Sequence, residues 1–177
     1  VGGLSALLTL FSAVLYDMVY TPMKRTSPLA TPVGAIPGAL PALIGWTAHA
    51  GSVDARGLTL FGILFLWQLI HVLALAWNLK DDYERAGFQL IPRGSSRMIS
   101  IIMVGYAAVL VPVSLVPSAL NMTGGAYLIG ATLLGMGMVW VTTGFLLKPT
   151  QQRCRRVFVG SLIYHPVLLV LMVTGAL

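Results

Sequence analysis

Six apolar stretches, each about as long as a helix that crosses a hydrocarbon core, run through the sequence at roughly 1–20, 29–50, 57–79, 98–117, 124–147 and 157–177. Their backbone polar groups must be satisfied within the segment, which a helix does and an isolated strand does not. The runs are continuously apolar rather than alternating, so the strands of a membrane barrel are excluded. Of the 177 residues 57 % are hydrophobic and 9 % charged, whereas a water-soluble domain carries about a quarter charged residues. The same proportions exclude disorder. The chain is therefore read as an all-α polytopic membrane helix bundle with six transmembrane helices. It forms a single transmembrane domain over 1–177, with no linker or repeat dividing it. No basic n-region or cleavage site marks the first stretch, so it does not read as a signal peptide.

The breaks between stretches test the count. Breaks one, three and five hold Lys24 and Arg25; then Lys80, Arg85, Arg93 and Arg97; then Lys148, Arg153, Arg155 and Arg156, which is every basic residue but Arg56. The odd breaks thus share one face, cytoplasmic in a bacterial inner membrane or on the matrix side of a mitochondrial one. The net charge of +6 is spread along membrane edges and forms no domain for nucleic acid. One cysteine, Cys154, excludes an internal disulfide, and His49, His71 and His165 are too scattered for a metal site at the level of sequence.

Two odd breaks carry most of the polar chemistry. In Tyr20-Thr21-Pro22-Met23-Lys24-Arg25 the basic pair either snorkels to headgroups or, with the tyrosine hydroxyl one turn earlier, clamps a phosphate. In Asn78-Leu79-Lys80-Asp81-Asp82-Tyr83-Glu84-Arg85 three acids lie on the positive face. They are either a solvated helix with Lys80/Glu84 and Asp81/Arg85 pairs, or carboxylates for Mg²⁺, which takes one or two carboxylates plus phosphate oxygens. Gln68 and His71 share a helix face inside a span. Polar groups there turn toward the bundle interior, and His71 serves either as an interhelical hydrogen bond or as a ligand contact. Asp17 snorkels or pairs with Lys24 or Arg25. Pro32, Pro37 and Pro41 with Gly34, Gly38 and Gly45 mark a second span built for close packing or for walling a cavity. The basic run from Arg153 to Arg156 fixes topology and meets anionic lipid.

At these residues the chain resembles the haem O synthases (protohaem IX farnesyltransferases) of the UbiA-type intramembrane prenyltransferases. The resemblance rests on Tyr20-Thr21-Pro22-Met23-Lys24-Arg25 with Val33-Gly34-Ala35-Ile36-Pro37-Gly38-Ala39-Leu40-Pro41 and Ile44-Gly45-Trp46. It continues through Trp67-Gln68 with His71, then Lys80-Asp81-Asp82-Tyr83 with Ala86-Gly87 and Pro92. It ends in Arg155-Arg156-Val157-Phe158 and Ser161-Leu162-Ile163-Tyr164. Order and spacing are kept over nearly the whole chain. The family usually has Asn at the position of Ala30, a second Pro at Ala42, and Pro and Phe at Ile70 and Val72; the segment after Gly87 is also short.

The resemblance implies a nine-helix fold of which the six spans match the fourth to the ninth. The first Asp-rich motif would then lie upstream of Val1, and the chain would be a fragment or truncated relative, inactive alone. The implied reaction is Mg²⁺-dependent transfer of a farnesyl group from farnesyl diphosphate to a vinyl group of haem B, within membrane lipid. By resemblance, Asp81 and Asp82 hold metal and act with Lys80 in catalysis. Lys24 and Arg25 meet diphosphate, Tyr20 and Tyr83 add hydrogen bonds, and Gln68 and His71 line the substrate cavity. A non-catalytic membrane subunit retaining the second half of the fold is the alternative; a transporter ranks below it, for want of a buried charge relay beyond Asp17.

Overall fold

The computed structural model describes residues 2–88 and 96–176, and these are helical with short turns between. Seven helices follow in order: α1 (Gly3–Met23), α2 (Ala30–Ala50), α3 (Ala55–Asn78), α4 (Lys80–Arg85), α5 (Ser96–Ala119), α6 (Gly125–Leu147) and α7 (Gln151–Thr174). The six long ones occupy the six apolar stretches. Five of them, all but α2, are long and apolar enough to cross a membrane. The prolines, glycines and histidine of α2 lower its apolarity without ending its 21-residue helix. The chain is an integral membrane helix bundle.

Helices α3, α5, α6 and α7 enclose one core, in which Met103, Leu110, Tyr127, Phe145, Val157, Tyr164 and Leu168 are buried. α2 packs on the outer side of α3, and α1 packs on α2. Pro41 has no N–H to offer the Pro37 carbonyl, and the Ser12 hydroxyl of α1 donates to that carbonyl at 3.3 Å instead. Near the other end of the α1–α2 contact, Ser5 and Thr47 share a hydroxyl hydrogen bond of 3.1 Å. Before Pro22, α1 loosens into a π-helical turn over Leu15–Tyr20, and the Thr21 hydroxyl donates to the Tyr16 carbonyl at 3.0 Å.

The odd turns meet at one end of the bundle. Lys24 reaches the ring of Phe88, and the Gln151 side chain donates to the Asn78 carbonyl at 3.3 Å. At the opposite end Gly124 N–H donates to the Gly175 carbonyl at 2.8 Å, and Asp54 caps α3 by accepting from Gly57 N–H at 2.9 Å.

Two boundaries differ from expectation. The last helix starts at Gln151, not at 157, so Arg153, Arg155 and Arg156 stand on helical turns. Hydropathy marks where the hydrocarbon begins, not where the helix does. The acidic break folds as α4, a helix of six residues ended at Gly87 (φ +74°). There Phe88 N–H donates to the Tyr83 carbonyl at 2.9 Å and Gly87 N–H to the Glu84 carbonyl at 3.0 Å. This is a Schellman cap, and it brings the Phe88 ring within 6.1 Å of the Tyr83 ring. The short segment after Gly87, Gln89 to Arg93 with Pro92, lies outside the described residues.

Candidate functional site

The site forms where α1 ends and α4 begins. Ala30 and Ala76, both buried, make its floor, and Tyr20, Met23, Tyr83 and Phe88 pack over them. Tyr20 is held by a glycine: a Cβ at Gly34 would stand 2.6 Å from its ring carbons, inside van der Waals contact. One turn along α2, a Cβ at Gly38 would stand 2.4 Å from Gln68 Oε1. The Gln68 amide lies across that glycine and donates to the Gly34 carbonyl at 3.4 Å. The two glycines thus bring side chains of α1 and α3 onto one stripe of α2. Of the two readings for this span, close packing is the one these contacts show.

Lys24 Nζ lies 5.9 Å from the Tyr20 ring centroid and 5.2 Å from that of Phe88. Both distances are within cation–π range. The ammonium therefore bridges the first odd turn and the third. Lys80 Nζ lies 5.8 Å over the Trp77 ring. Arg25, Asp81 and Asp82 are exposed, and Asp82 pairs with Arg85. This i,i+3 pair stands where Lys80/Glu84 and Asp81/Arg85 pairs were expected; among the described residues it is the one ion pair. Asp17 is exposed and joins neither Lys24 nor Arg25 in such a pair.

Apart from Arg25, which is exposed and makes no contact with the others, the site residues fall into two groups. Tyr20, Lys24 and Tyr83 converge directly, with Lys80, Asp81 and Asp82 on the adjoining turn of α4. Gln68 reaches the same wall through Gly34 and Gly38. His71 is turned the other way, toward α7. Its Nδ1 lies 2.9 Å from Ser161 Oγ, and its ring is stacked between Trp67 at 5.2 Å and Phe158 at 4.8 Å. Trp67 Nε1 donates to the Ser161 carbonyl at 2.6 Å. The interhelical hydrogen bond expected for His71 is present. Neither Phe88 nor Ser161 was given a role in the site by the sequence. For Phe88 the signal was there, in the Gly87-Phe88 pair that follows Tyr83 at cap spacing.

No group of three or more His, Cys, Asp or Glu that could enclose a metal ion occurs among the described residues. Asp81 and Asp82 nevertheless fit a partial shell. They are adjacent, solvent-facing carboxylates, and Mg²⁺ takes few protein ligands when phosphate oxygens and water complete its octahedron. Arg85 engages one oxygen of Asp82 and competes with a metal for that carboxylate.

The sequence model of the UbiA prenyltransferase family matches residues 1–167. The chain belongs to this family. Among curated UbiA-type relatives, a protoheme IX farnesyltransferase of Solibacter usitatus is 43 % identical over 175 residues, 96 % of this chain and 59 % of that protein. One of Salinibacter ruber is 42 % identical over 159 residues, 89 % of this chain and 56 % of that protein. The chain therefore spans somewhat over half the length of the curated relatives it matches. A solved structure, from work on "the biosynthesis of Digeranylgeranylglyceryl phosphate synthase in membranes", superposes with a TM-score of 0.81 at 17 % identity. It covers 97 % of this chain and 60 % of that one, a likeness of fold.

Proposed function

We propose that this chain forms the larger part of a protohaem IX farnesyltransferase that makes haem O in a bacterial or mitochondrial inner membrane. The observation that carries the reading is the convergence of Tyr20 and Lys24 with Tyr83 and Phe88 at the face where Asp81 and Asp82 stand. The relatives' names supply the reaction. A prenyl diphosphate has an anionic head and a long apolar tail. It needs cations at a membrane edge above apolar side chains, and this end of the bundle sets Lys24 over the rings of Tyr20 and Phe88 and Lys80 over that of Trp77.

Each residue has a role in that reaction. The allylic carbon–oxygen bond breaks, negative charge collects on the departing diphosphate, and a farnesyl carbon joins a vinyl carbon of haem B while water supplies the hydroxyl. Lys24, Arg25 and Lys80 stabilise the leaving oxygens, more strongly as their charge grows. Tyr20 and Tyr83 donate hydrogen bonds to them. Asp81 and Asp82 would hold Mg²⁺, which when bound would supply Lewis-acid charge neutralisation for the diphosphate. The Gly34–Gly38 stripe fixes Tyr20 and Gln68 on the diphosphate side, and His71, turned toward α7, is assigned to the haem acceptor. By the resemblance, a first Asp-rich motif upstream would add further carboxylates for the same metal.

The test is complementation of a strain lacking haem O synthase with the chain joined to those upstream helices. Haem O in the extract, absent with Asp82→Ala at equal membrane insertion, is the expected result. Haem B as the sole haem with the unmutated protein properly inserted would sink the reading.

A further inference from the structure

On the same face as the odd turns, but on α6 and α7, Trp140, Val141, Gly144, Arg153 and Arg156 line a pocket of about 390 Å³. None of these residues belongs to the proposed prenyl-transfer site. From them we infer a binding site for one anionic phospholipid, its phosphate between Arg153 and Arg156 and an acyl chain along Trp140.

The charge is one-sided. The five acids of the sequence, Asp17, Asp54, Asp81, Asp82 and Glu84, all lie outside α6, α7 and the turn between them. The two arginines stand one turn apart on one face of α7, in its first two turns, where the helix dipole adds positive potential. Arg153 is held in place, because its guanidinium donates to the Gly144 carbonyl near the end of α6. Its remaining donors stay free for an oxyanion, and a guanidinium matches phosphate in a forked geometry. Thr150 caps α7 by accepting from Arg153 N–H at 3.4 Å. Gly144 has no side chain to fill the space between the helices. Trp140 is 79 % exposed and stands seven residues before the end of α6, roughly 10 Å below it. That depth is where an indole meets the glycerol and upper acyl region. A soluble anion would use the arginines alone. The exposed indole and Val141 below them argue for a lipid.

The test uses the chain reconstituted in phosphatidylcholine vesicles, with traces of brominated-acyl phosphatidylglycerol or brominated-acyl phosphatidylcholine quenching tryptophan emission. Brominated phosphatidylglycerol is expected to quench selectively, and Trp140→Phe should remove that selective part. Arg156→Gln should lower the preference roughly fivefold, the loss of one lipid-facing cation. Arg156→Lys should keep much of it, and Arg155→Gln, a neighbour outside the pocket, all of it. Equal quenching by both lipids overturns the proposal, as does a selective part that survives Trp140→Phe. An equal loss in Arg155→Gln and Arg156→Gln would mean a diffuse basic field and no site. Displacement by inorganic phosphate at constant ionic strength would mean a free-anion site and no lipid site.

Discussion

Lys24 Nζ stands 5.2 Å from the centre of the Phe88 ring, although 64 positions separate the two residues in the chain. The contact joins the end of α1 to the cap of α4 and places a cation beside the acidic turn. If Lys24 neutralises a diphosphate oxygen, Lys24→Gln should lower kcat/KM for farnesyl diphosphate roughly 10- to 100-fold, the range for a hydrogen bond to a charged group. Phe88→Ala removes only the ring that positions it, so a drop of about two- to fivefold is expected. Steady-state kinetics of the completed enzyme give both. A Phe88 effect as large as that of Lys24 would mean that the ring contacts substrate itself.

Asp82 is shared between Arg85 and the expected metal. Asp82→Ala should abolish haem O formation, and chelation of divalent metal should do the same to the unmutated enzyme. Arg85→Gln frees the carboxylate. An exposed pair contributes at most about 1 kcal/mol, so half-saturating Mg²⁺ should fall by no more than about fivefold. A rise on Arg85→Gln would show that the arginine assists metal binding.

The six long helices were legible because continuous apolarity over a membrane's thickness has few other solutions. The bundle's polarity was legible for a similar reason, since basic residues partition to one face. Helix ends were less so. Gln151, Gln152 and Arg153 read as a loop, but each can be helical while its side chain reaches headgroups. The seat of Tyr20 on Gly34 was not readable, because a glycine in a span announces close approach without naming its partner. The Asp82–Arg85 pair replaced the expected i,i+4 pairs in a helix of six residues, where both spacings are open to side chains in water. Ala30, one of the departures from the family pattern, proved to be the buried floor beneath Tyr20 and Tyr83.

Gly34 and Gly38 should respond unequally to a methyl group. At Gly38 the added Cβ meets the end of a flexible amide, which can swing aside with loss of its 3.4 Å bond to the Gly34 carbonyl. At Gly34 it meets a rigid ring, so Tyr20 or α1 itself must move. Gly34→Ala should cost about 1–3 kcal/mol, as overpacking does, and Gly38→Ala less. Denaturant unfolding in detergent checks the order. Equal costs would show that Tyr20 leaves its seat freely.

Topology has a direct measurement. Cys154 is buried, so it should resist membrane-impermeant maleimide in folded protein. In a Cys154→Ala background, cysteines at Ser27, Glu84 and Gln152 should label from one common side and a cysteine at Ser52 from the other. Labelling of Ser27 and Gln152 from opposite sides would remove the six-helix arrangement.

His71 separates structure from substrate contact. The Ser161 hydroxyl donates its single proton to the Phe158 carbonyl at 2.6 Å. Its 2.9 Å contact with His71 Nδ1 therefore needs the proton on Nδ1, which leaves Nε2 with a lone pair. Ser161→Ala removes the partner but keeps the imidazole, and should cost about 1 kcal/mol of stability with little change in kcat/KM. His71→Ala removes the lone pair as well as the stack with Trp67 and Phe158. It should raise KM for haem B at least severalfold and leave that for farnesyl diphosphate nearly unchanged. Stability measured beside the kinetics separates the two effects. If both variants lose stability alike and neither alters KM for haem B, His71 holds α3 to α7 and has no part in the acceptor site.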